Sequence, residues 1–331
     1  MNILSSPRNG LPSPTRPLAE NLAMAFGVCF PMVGLAAAII CFWGRGVGWL
    51  EINLLFFGYC VTALSITTGF HRGFTHRAYD MHPSVKLFFA VVGSMAVQGP
   101  VIEWCAIHRR HHQCSDHDGD PHSPHHGFGR GPLAVLKGMF HAHVGWLFDP
   151  EPADLNRSVQ DLLADPMLVF VDRFFWLWTL LGWLLPAALA FAITRTWQGA
   201  LSGFIWGGLV RTFVLHHTTW SINSVCHVWG TRPYSSNDHS RNNPVFGLIC
   251  FGEGWHNNHH AFPTSARHGL AWYQLDGTYL LLRTLEKLRL VRNLRLPAPS
   301  AIDAKLRQIP SPAKPLQPTI TTRAREPVAI S

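Results

Sequence analysis

Four long apolar stretches alternate with polar segments along the chain, and they cover residues 22–43, 49–70, 174–193 and 199–220. Each has 20 to 22 residues, and an α-helix of that length rises about 30–33 Å, enough to cross the hydrocarbon core of a bilayer. Their charged residues are Glu51, at the outer end of the second stretch, and Arg211, inside the fourth. The pattern predicts an all-α integral membrane protein with four transmembrane helices.

Two links of five residues, 44–48 and 194–198, join the stretches in pairs, so we expect two tight helical hairpins. Lys and Arg number 2 in the leader, 8 in residues 71–172 and 13 in residues 221–331, against 1 in each link. Because cytoplasmic loops carry the excess of Lys and Arg, both termini and the middle segment are predicted to face the cytoplasm. In a bacterium the membrane would be the inner one.

Other segments have weaker patterns. Residues 1–20 and 296–331 are rich in Pro and polar residues, which predicts a disordered leader and tail around one domain at 21–295. The eleven apolar residues at 87–97 suit an interfacial or re-entrant helix, and residues 275–292 suit an amphipathic one. A cleaved signal peptide is the alternative for the first stretch, but the apolar run is too long and a second one follows directly.

Composition agrees with a membrane protein. Of 331 residues, 47% are hydrophobic and 14% charged, whereas soluble domains average about 25% charged. The net charge of +8 is therefore assigned to membrane orientation, and no nucleic-acid partner is expected. The seven cysteines form no C-x-x-C pair, so they are predicted to be packing residues rather than a disulfide framework or a thiolate zinc site.

Histidine is the unusual residue, since its 20 copies exceed the 19 acidic residues. Three clusters stand out: HRGFTH at 71–76, HRRHH at 108–112 and HNNHH at 256–260. In a helix, positions i, i+3 and i+4 share one face, so the second and third clusters would each aim three imidazoles one way. His71 and His76 are five apart, about 140° around an ideal helix, and suit a helix end. Asn223 and His227 form a further i, i+4 pair.

Eight clustered histidines and His227 offer nine nitrogen ligands, too many for one zinc ion with four. They predict two metal ions of the kind that imidazole suits, namely iron, copper, zinc or nickel. Neutral ligands leave the metal charge uncompensated, which favours oxygen chemistry over hydrolysis. Six other histidines are interpreted as loop or interfacial residues: His117, His122, His125, His126, His216 and His217. Asp116, Asp118 and Asp120 alternate as in a calcium loop but lack its terminal Glu.

The three clusters resemble the histidine boxes of the membrane fatty-acyl desaturases. The segments QGPVIEW, SDHDGDPHSP, HVGWLFD, NSVCHVWGTRPY and GEGWHNNHHAFP extend the resemblance to the Δ9 branch, over residues 22–295. That resemblance implies four transmembrane helices under a cytosolic helical cap that holds two irons. It also implies reductive activation of O2, with two hydrogens removed from a saturated acyl chain to leave a cis double bond, Δ9 in this branch.

The resemblance also implies roles for individual residues. The iron ligands would be His71, His76, His108, His111, His112, His227, His256, His259 and His260, with Asn223 contacting one iron through water. Trp220 would lie near the bend of the substrate tunnel and Trp104 beside the acyl entrance. The chain has no Rossmann fingerprint or fused redox domain, so a separate ferredoxin or b-type cytochrome is expected to supply electrons.

The acyl carrier and the reaction keep alternatives. Acyl-CoA desaturases of animals have an Arg-Asp pair and an Arg-Lys pair, which meet the CoA moiety, where this chain has Ala106-Ile107 and Phe148-Asp149. Because CoA phosphates bind cations, this departure favours an acyl chain on a glycerolipid over one on CoA. A di-iron alkane or lipid hydroxylase on the same frame is one alternative. A histidine-rich metal transporter is a remote one, since its ligands would lie within the spans.

Overall fold

The computed structural model describes residues 18–42, 47–129, 131–149 and 155–306. Its α-helices are α1 (Leu18–Phe42), α2 (Trp49–Ser65), α3 (Pro83–Ser94), α4 (Val101–Cys114), α5 (Pro132–His143), α6 (Gln160–Leu163), α7 (Pro166–Arg173), α8 (Phe175–Thr194), α9 (Trp197–Gly203), α10 (Arg211–Val228), α11 (Pro244–Ile249), α12 (His256–Ala261), α13 (Gly277–Lys287) and α14 (Pro299–Lys305). Short 3-10 helices lie at Gly145–Phe148 and Leu155–Val159. The described chain is mostly helical, as predicted.

Two segments are wound as π-helix. Ile66–Thr75 continues α2, and Phe204–Val210 joins α9 to α10. A single two-stranded antiparallel ladder is described, β1 (Asp80–Met81) with β2 (Val291–Arg292). It ties the segment after the first π-helix to the end of the fold.

Within the described residues, three helices are long and apolar enough to cross a membrane: Asn21–Phe42, Trp49–Thr75 and Phe175–Thr194. They coincide with the first three predicted spans. Many of their large apolar side chains are exposed, such as Ile40 of α1, Phe57 of α2 and Leu184 of α8. An apolar outer surface of this kind is what lipid contact requires.

The fourth predicted span, 199–220, is not among those three helices. It lies within a continuous helical run at 197–228, which packs against α1, α2 and α8 through its π-helical segment. Glycines permit this close approach, since a Cβ on Gly207 would come within 2.5 Å of Pro186 Cβ. Helix α1 packs chiefly on the same π-helical segment, so the tight pairing expected within the first hairpin is instead a contact between α1 and the fourth stretch.

The short apolar helix predicted at 87–97 is α3, which ends at Ser94. The turn that follows it is attached to α10, because Arg211 donates to Met95 O (3.0 Å) and His216 Nε2 lies 2.8 Å from Val97 O. Arg211 and His216 are both buried. They therefore have structural partners inside the protein, and neither side chain reaches toward an interface.

The predicted ends of the fold need correction. The amphipathic helix expected at 275–292 stops at Lys287, because Arg289 adopts φ 61° and the chain then turns into β2. The disordered tail predicted from residue 296 is wrong for residues 299–305, which form α14 with Pro299 in its first turn. Lys305 Nζ anchors α14 by donating to Ala261 O (2.6 Å). Helix α1 begins at Leu18, inside the predicted leader; residues 1–17 and 307–331 lie outside the described residues.

Candidate metal centre

The nine predicted histidines come from four separate helical segments that converge on one place. His71 and His76 belong to the first π-helix and its end, and His227 to α10. Helix α4 carries His108, His111 and His112, and α12 carries His256, His259 and His260. The i, i+3, i+4 spacing predicted for both boxes is thus helical in the structure.

The π-helix explains the spacing of the first box. His76 N donates to His71 O (3.1 Å), a hydrogen bond across five residues. In that geometry, residues five apart lie one above the other. The 140° separation calculated for an ideal α-helix therefore does not apply, and the ring centroids of His71 and His76 lie 4.9 Å apart.

The nine histidines form two groups, and within each group the ligand nitrogens lie within 4.8 Å of one another. The five-histidine group is His71, His76, His108, His112 and His259. The four-histidine group is His111, His227, His256 and His260. The groups adjoin each other, since the rings of His112 and His260 are stacked with centroids 4.4 Å apart.

Nε2 atoms crowd together inside each group. His259 Nε2 lies 3.0 Å from His71 Nε2 and 2.9 Å from His112 Nε2. In the four-histidine group, His256 Nε2 lies 3.0 Å from His227 Nε2 and 3.1 Å from His260 Nε2. Nitrogens that ligate one metal at about 2.0–2.1 Å are spaced like this.

Carboxylates determine the tautomer of several rings. The Nδ1 atoms of His71, His111, His227 and His260 lie 2.5–2.9 Å from Glu253, Asp120, Asp116 and Asp238, respectively. A carboxylate accepts the Nδ1–H, so Nε2 of each ring holds a lone pair. The lone pairs of His227 and His260 then both face His256 Nε2, whose single N–H could not satisfy both. A bound cation would satisfy all three, and the donor set fits a metal.

Burial keeps the remaining rings neutral, as metal ligation requires. Desolvation, with a smaller contribution from neighbouring imidazoles, holds the pKa of His112, His256 and His259 well below the usual value. The buried Nε2 atoms of His76 and His111 have no hydrogen-bond partner among the described residues. Unprotonated nitrogens that point at each other have the donor chemistry of imidazole sites for iron, copper, zinc or nickel.

The sequence analysis gave none of these four carboxylates a role at the centre, although three of them lie near a histidine box. Asp116 and Asp120 belong to the stretch set aside as an incomplete calcium loop, and Glu253 precedes His256 by three residues. Burial by itself raises the pKa of Asp120, but His111, His122 and the backbone N–H of Asp116 together bring this pKa below the usual range. These carboxylates are ionised and orient the rings in front of them.

Two further histidines have buried places at the centre. His122, interpreted as a loop residue, is in a loop but buried, with its ring 4.3 Å from that of His111. Its pKa falls to about 3 because of burial and the nearby His111. The sequence analysis did not single out His268. Its Nδ1 lies 3.5 Å from Glu253 Oε2, and its ring centroid lies 4.4 Å from that of His259. Only the tertiary structure reveals His268, since no motif contains it.

A cavity of ≈ 420 Å³ leads from the histidines into the apolar helices. His71, His108 and His256 are at its polar end, so both histidine groups border it. Its walls include Met24, Val28, Ala63, Phe175, Trp176 and Leu215. Asn223 also lines it, half-buried and one turn before His227 on α10.

Both tryptophans singled out from the sequence lie on this cavity. The ring of Trp104 stacks on His108 at 5.1 Å, and its Nε1 donates to Gln98 Oε1 (3.3 Å). Trp220 is buried, with its ring 4.8 Å from that of His216. The two rings therefore belong to the cavity wall and are not anchors at an outer surface.

Fold and site define a class: a helical protein with an all-histidine, two-metal-capable centre at one end of an apolar cavity. The sequence profile of the fatty acid desaturase family matches residues 47–293. The chain belongs to the fatty acid desaturase family, which confirms the resemblance carried by the histidine boxes.

Relatives of the chain differ in the acyl carrier that their names state. Hex-5-enoyl-[acyl-carrier protein] acetylenase of Moorena producens (strain JHB) is 41% identical over 276 residues, or 83% of this chain and 86% of that protein. Delta-9 acyl-lipid desaturase 1 of Arabidopsis thaliana is 37% identical over 76% of this chain and 77% of that protein. Icosanoyl-CoA 5-desaturase of Limnanthes douglasii is 37% identical over 75% of this chain and 65% of that protein.

Proposed function

We propose that the chain is an O2-dependent acyl desaturase that introduces a cis double bond, at Δ9, into a saturated acyl chain. The two histidine groups would hold two iron ions, and Asn223 would contact one of them through water. The overall reaction consumes the saturated chain, O2, two electrons and two protons, and yields the unsaturated chain and two waters. The electrons would come from a ferredoxin or a b-type cytochrome.

One observation carries this proposal: a single apolar cavity borders both histidine groups. An acyl chain in it would pass His71, His108 and His256, and its remainder would lie among the apolar side chains of α1, α2, α8 and α10. Removal of hydrogen from an unactivated carbon needs a strong oxidant, which reduced iron and O2 supply when bound. The protein would hold the chain rigidly beside that oxidant and exclude water.

The cavity wall would select the reacting carbons. Trp104 of α4 and Trp220 of α10 both border the cavity. Hydrogen bonds orient Trp104, whose Nε1 donates to Gln98, and Gln98 in turn donates to Thr219 Oγ1 (2.9 Å). A chain confined between such oriented side chains would present the same carbon pair to the metals in each turnover.

The same proposal includes the membrane arrangement. Four spans would cross the bilayer, the fourth enclosed by the other three; this accounts for its buried Arg211. The histidine-bearing segments would then form a cytosolic cap, with both termini on the same side, as the Lys and Arg distribution predicts. The basic face of this cap would attract an acidic electron donor.

We favour a glycerolipid as acyl carrier. At the positions where a CoA-binding relative would need cations, Ala106 is buried and Asp149 is an acid bound to His141 Nε2 (2.8 Å). Neither can bind a CoA phosphate. The acetylenase relative, which acts on an acyl-carrier protein, supports a second candidate function: conversion of an existing double bond to a triple bond.

Expression in an aerated bacterial host that lacks desaturases tests these proposals. Gas chromatography–mass spectrometry of derivatised chains locates any new double or triple bond, and separation of phospholipids, acyl-CoA and acyl-carrier protein shows where it first appears. A cis-Δ9 chain in phospholipid supports the proposal. Hydroxylated chains would identify a hydroxylase, and an alkyne would identify an acetylenase. If co-expression with a ferredoxin or cytochrome also yields no product, the substrate class is wrong.

Variants of the histidines provide the control. His111→Ala and His259→Ala each remove one ligand from a different group, and activity should fall below detection while the protein still inserts. His126→Ala is the matched control, because its half-exposed side chain is outside both groups. Full activity in either ligand variant would refute the metal assignment.

A further inference from the structure

The two histidine groups differ in what lies behind their rings. In the four-histidine group, His111, His227 and His260 each place Nδ1 against a different aspartate. In the five-histidine group, one ring, that of His71, has a carboxylate, Glu253. One ring in each group, His259 here and His256 in the four-histidine group, has a buried Nδ1 without a hydrogen-bond partner among the residues that the structure describes.

The three aspartates are themselves held in place. Asp116 Oδ1 accepts from Ser123 Oγ (2.7 Å), and its Oδ2 accepts from His239 N (2.8 Å) in addition to His227. Asp120 Oδ2 accepts from Asp116 N (2.7 Å), which joins two of the aspartates in one loop. Asp238 Oδ1 accepts from Ser236 Oγ (2.8 Å). Each carboxylate is oriented before a metal arrives.

Glu253 has a different electrostatic environment. Its Oε1 accepts from the buried Arg72 (2.8 Å to Nη2), so a guanidinium already shares its charge. The same guanidinium also binds Asp276 (3.0 Å). The four-histidine group therefore faces three carboxylates, and the five-histidine group faces one that Arg72 partly neutralises.

A carboxylate that accepts the Nδ1–H of a ligand makes Nε2 a stronger donor and stabilises positive charge on the metal. We propose that Asp116, Asp120 and Asp238 are positioning residues that make the four-histidine group the tighter of the two metal positions. The metal in the five-histidine group would then leave first, although that group has one more imidazole. This inference rests on the part of the proposed function that places metals in both groups.

Metal release from the full chain in detergent tests this inference. The protein is loaded with Zn²⁺, a redox-inert probe, and Zn²⁺ transfer to a coloured chelator in excess is followed with time. Two phases are expected, one per group. His76→Ala and His260→Ala assign the phases, since each removes a ligand from one group and abolishes its phase.

Charge-neutral variants then decide between the groups. Asp120→Asn should accelerate the slow phase ~10–100-fold, the usual effect of losing such a partner, and leave the fast phase unchanged. Glu253→Gln should accelerate only the fast phase. Asp118→Asn is the matched control in the same loop, because its side chain is 98% exposed. Asp120→Glu, which keeps the charge, should restore most of the slow rate.

The outcomes separate this inference from the proposed reaction. An unchanged fast phase in Asp120→Asn shows that the fold is intact, and Asp238→Asn provides a second, independent variant. The inference is overturned if Asp120→Asn accelerates both phases equally or only the fast one, or if wild type binds fewer than two ions. A chain with the expected phases that makes no unsaturated product would refute desaturation and leave this inference standing.

Discussion

Two fully buried arginines show how differently the two halves of the molecule are built. Arg72, beside the histidines, binds the carboxylates of Glu253 and Asp276 and also donates to Ala266 O (2.8 Å). Arg211, among the apolar helices, donates to backbone carbonyls, those of Gly207, Met95 and Gly182. The half that contains the two histidine groups is held by charge, and the apolar half by backbone contacts and close packing.

The two asparagines of HNNHH also hold the histidine-bearing half together, through hydrogen bonds between neutral groups. Asn258 Nδ2 donates to His268 O and to Gln274 Oε1, both at 2.8 Å, and its Oδ1 accepts from Asn242 (2.6 Å). Asn257 Oδ1 accepts from Tyr234 N (2.9 Å). The histidines of α12 point at the metal positions, and the asparagines between them attach the other face of the helix to surrounding loops.

The largest effect is expected from Arg72→Met. It leaves Glu253 and Asp276 buried without their counter-charge, and breaking a buried pair costs about 3–5 kcal/mol. SDS titration of the detergent-solubilised protein should show this loss in the free energy of unfolding. A loss under 1 kcal/mol would mean that charge pairing does not hold this half together.

A smaller effect is expected from Arg211→Met. This substitution removes no ion pair among the described contacts. It leaves three buried carbonyls without their donor, and we expect the free energy of unfolding to fall by about 1–3 kcal/mol. The same titration measures it. If Arg211→Met destabilises the protein as much as Arg72→Met, the contrast between the halves is wrong.

Gly207→Ala tests the close packing of the apolar helices. The new methyl would lie 2.5 Å from Pro186 Cβ and 3.1 Å from Leu54 Cβ, and overpacking of this kind costs ~1–3 kcal/mol, here near the lower end. Gly27→Ala is the matched control, since its nearest neighbour would be at an ordinary 3.9 Å. Equal stability of the two variants would show that the helices can separate without penalty.

The smallest effect is expected from Asp161→Asn, on the loss of stability at low pH. Burial alone raises the pKa of Asp161, but hydrogen bonds and charge from Arg109 and Arg77 bring it below the usual value. Its folded pKa is thus lower than its unfolded pKa of about 3.9, so its contribution to stability is present above that pH and disappears as pH falls through the folded value. In Asp161→Asn, the melting temperature should fall less between pH 5 and about 3 than it does in wild type. An unchanged slope would assign the acid sensitivity to other groups.

Much of the centre was predictable because its signals are local. His108, His111 and His112 lie within one turn of each other, and so do His256, His259 and His260, so helical periodicity alone aligns their rings. The first three apolar stretches were predicted as readily, because a transmembrane helix is recognised by its length and its near absence of charged residues. The fourth stretch was predicted as a span like the others but is not among the three long apolar helices described, and its Arg211 and His216 find their partners on the turn after α3.

What the sequence determined is the clustering of the histidines that could hold metal and the positions of three apolar helices, since both depend on spacing within one element. The tertiary structure alone decided the division into five and four histidines, the π-helical turn under His71 and His76, and the carboxylates behind the rings. Asp116 meets His227 across 111 residues and Arg72 meets Glu253 across 181. Such partners share no periodicity along the chain, because buried charges are matched by whichever group the folded chain brings within hydrogen-bond distance.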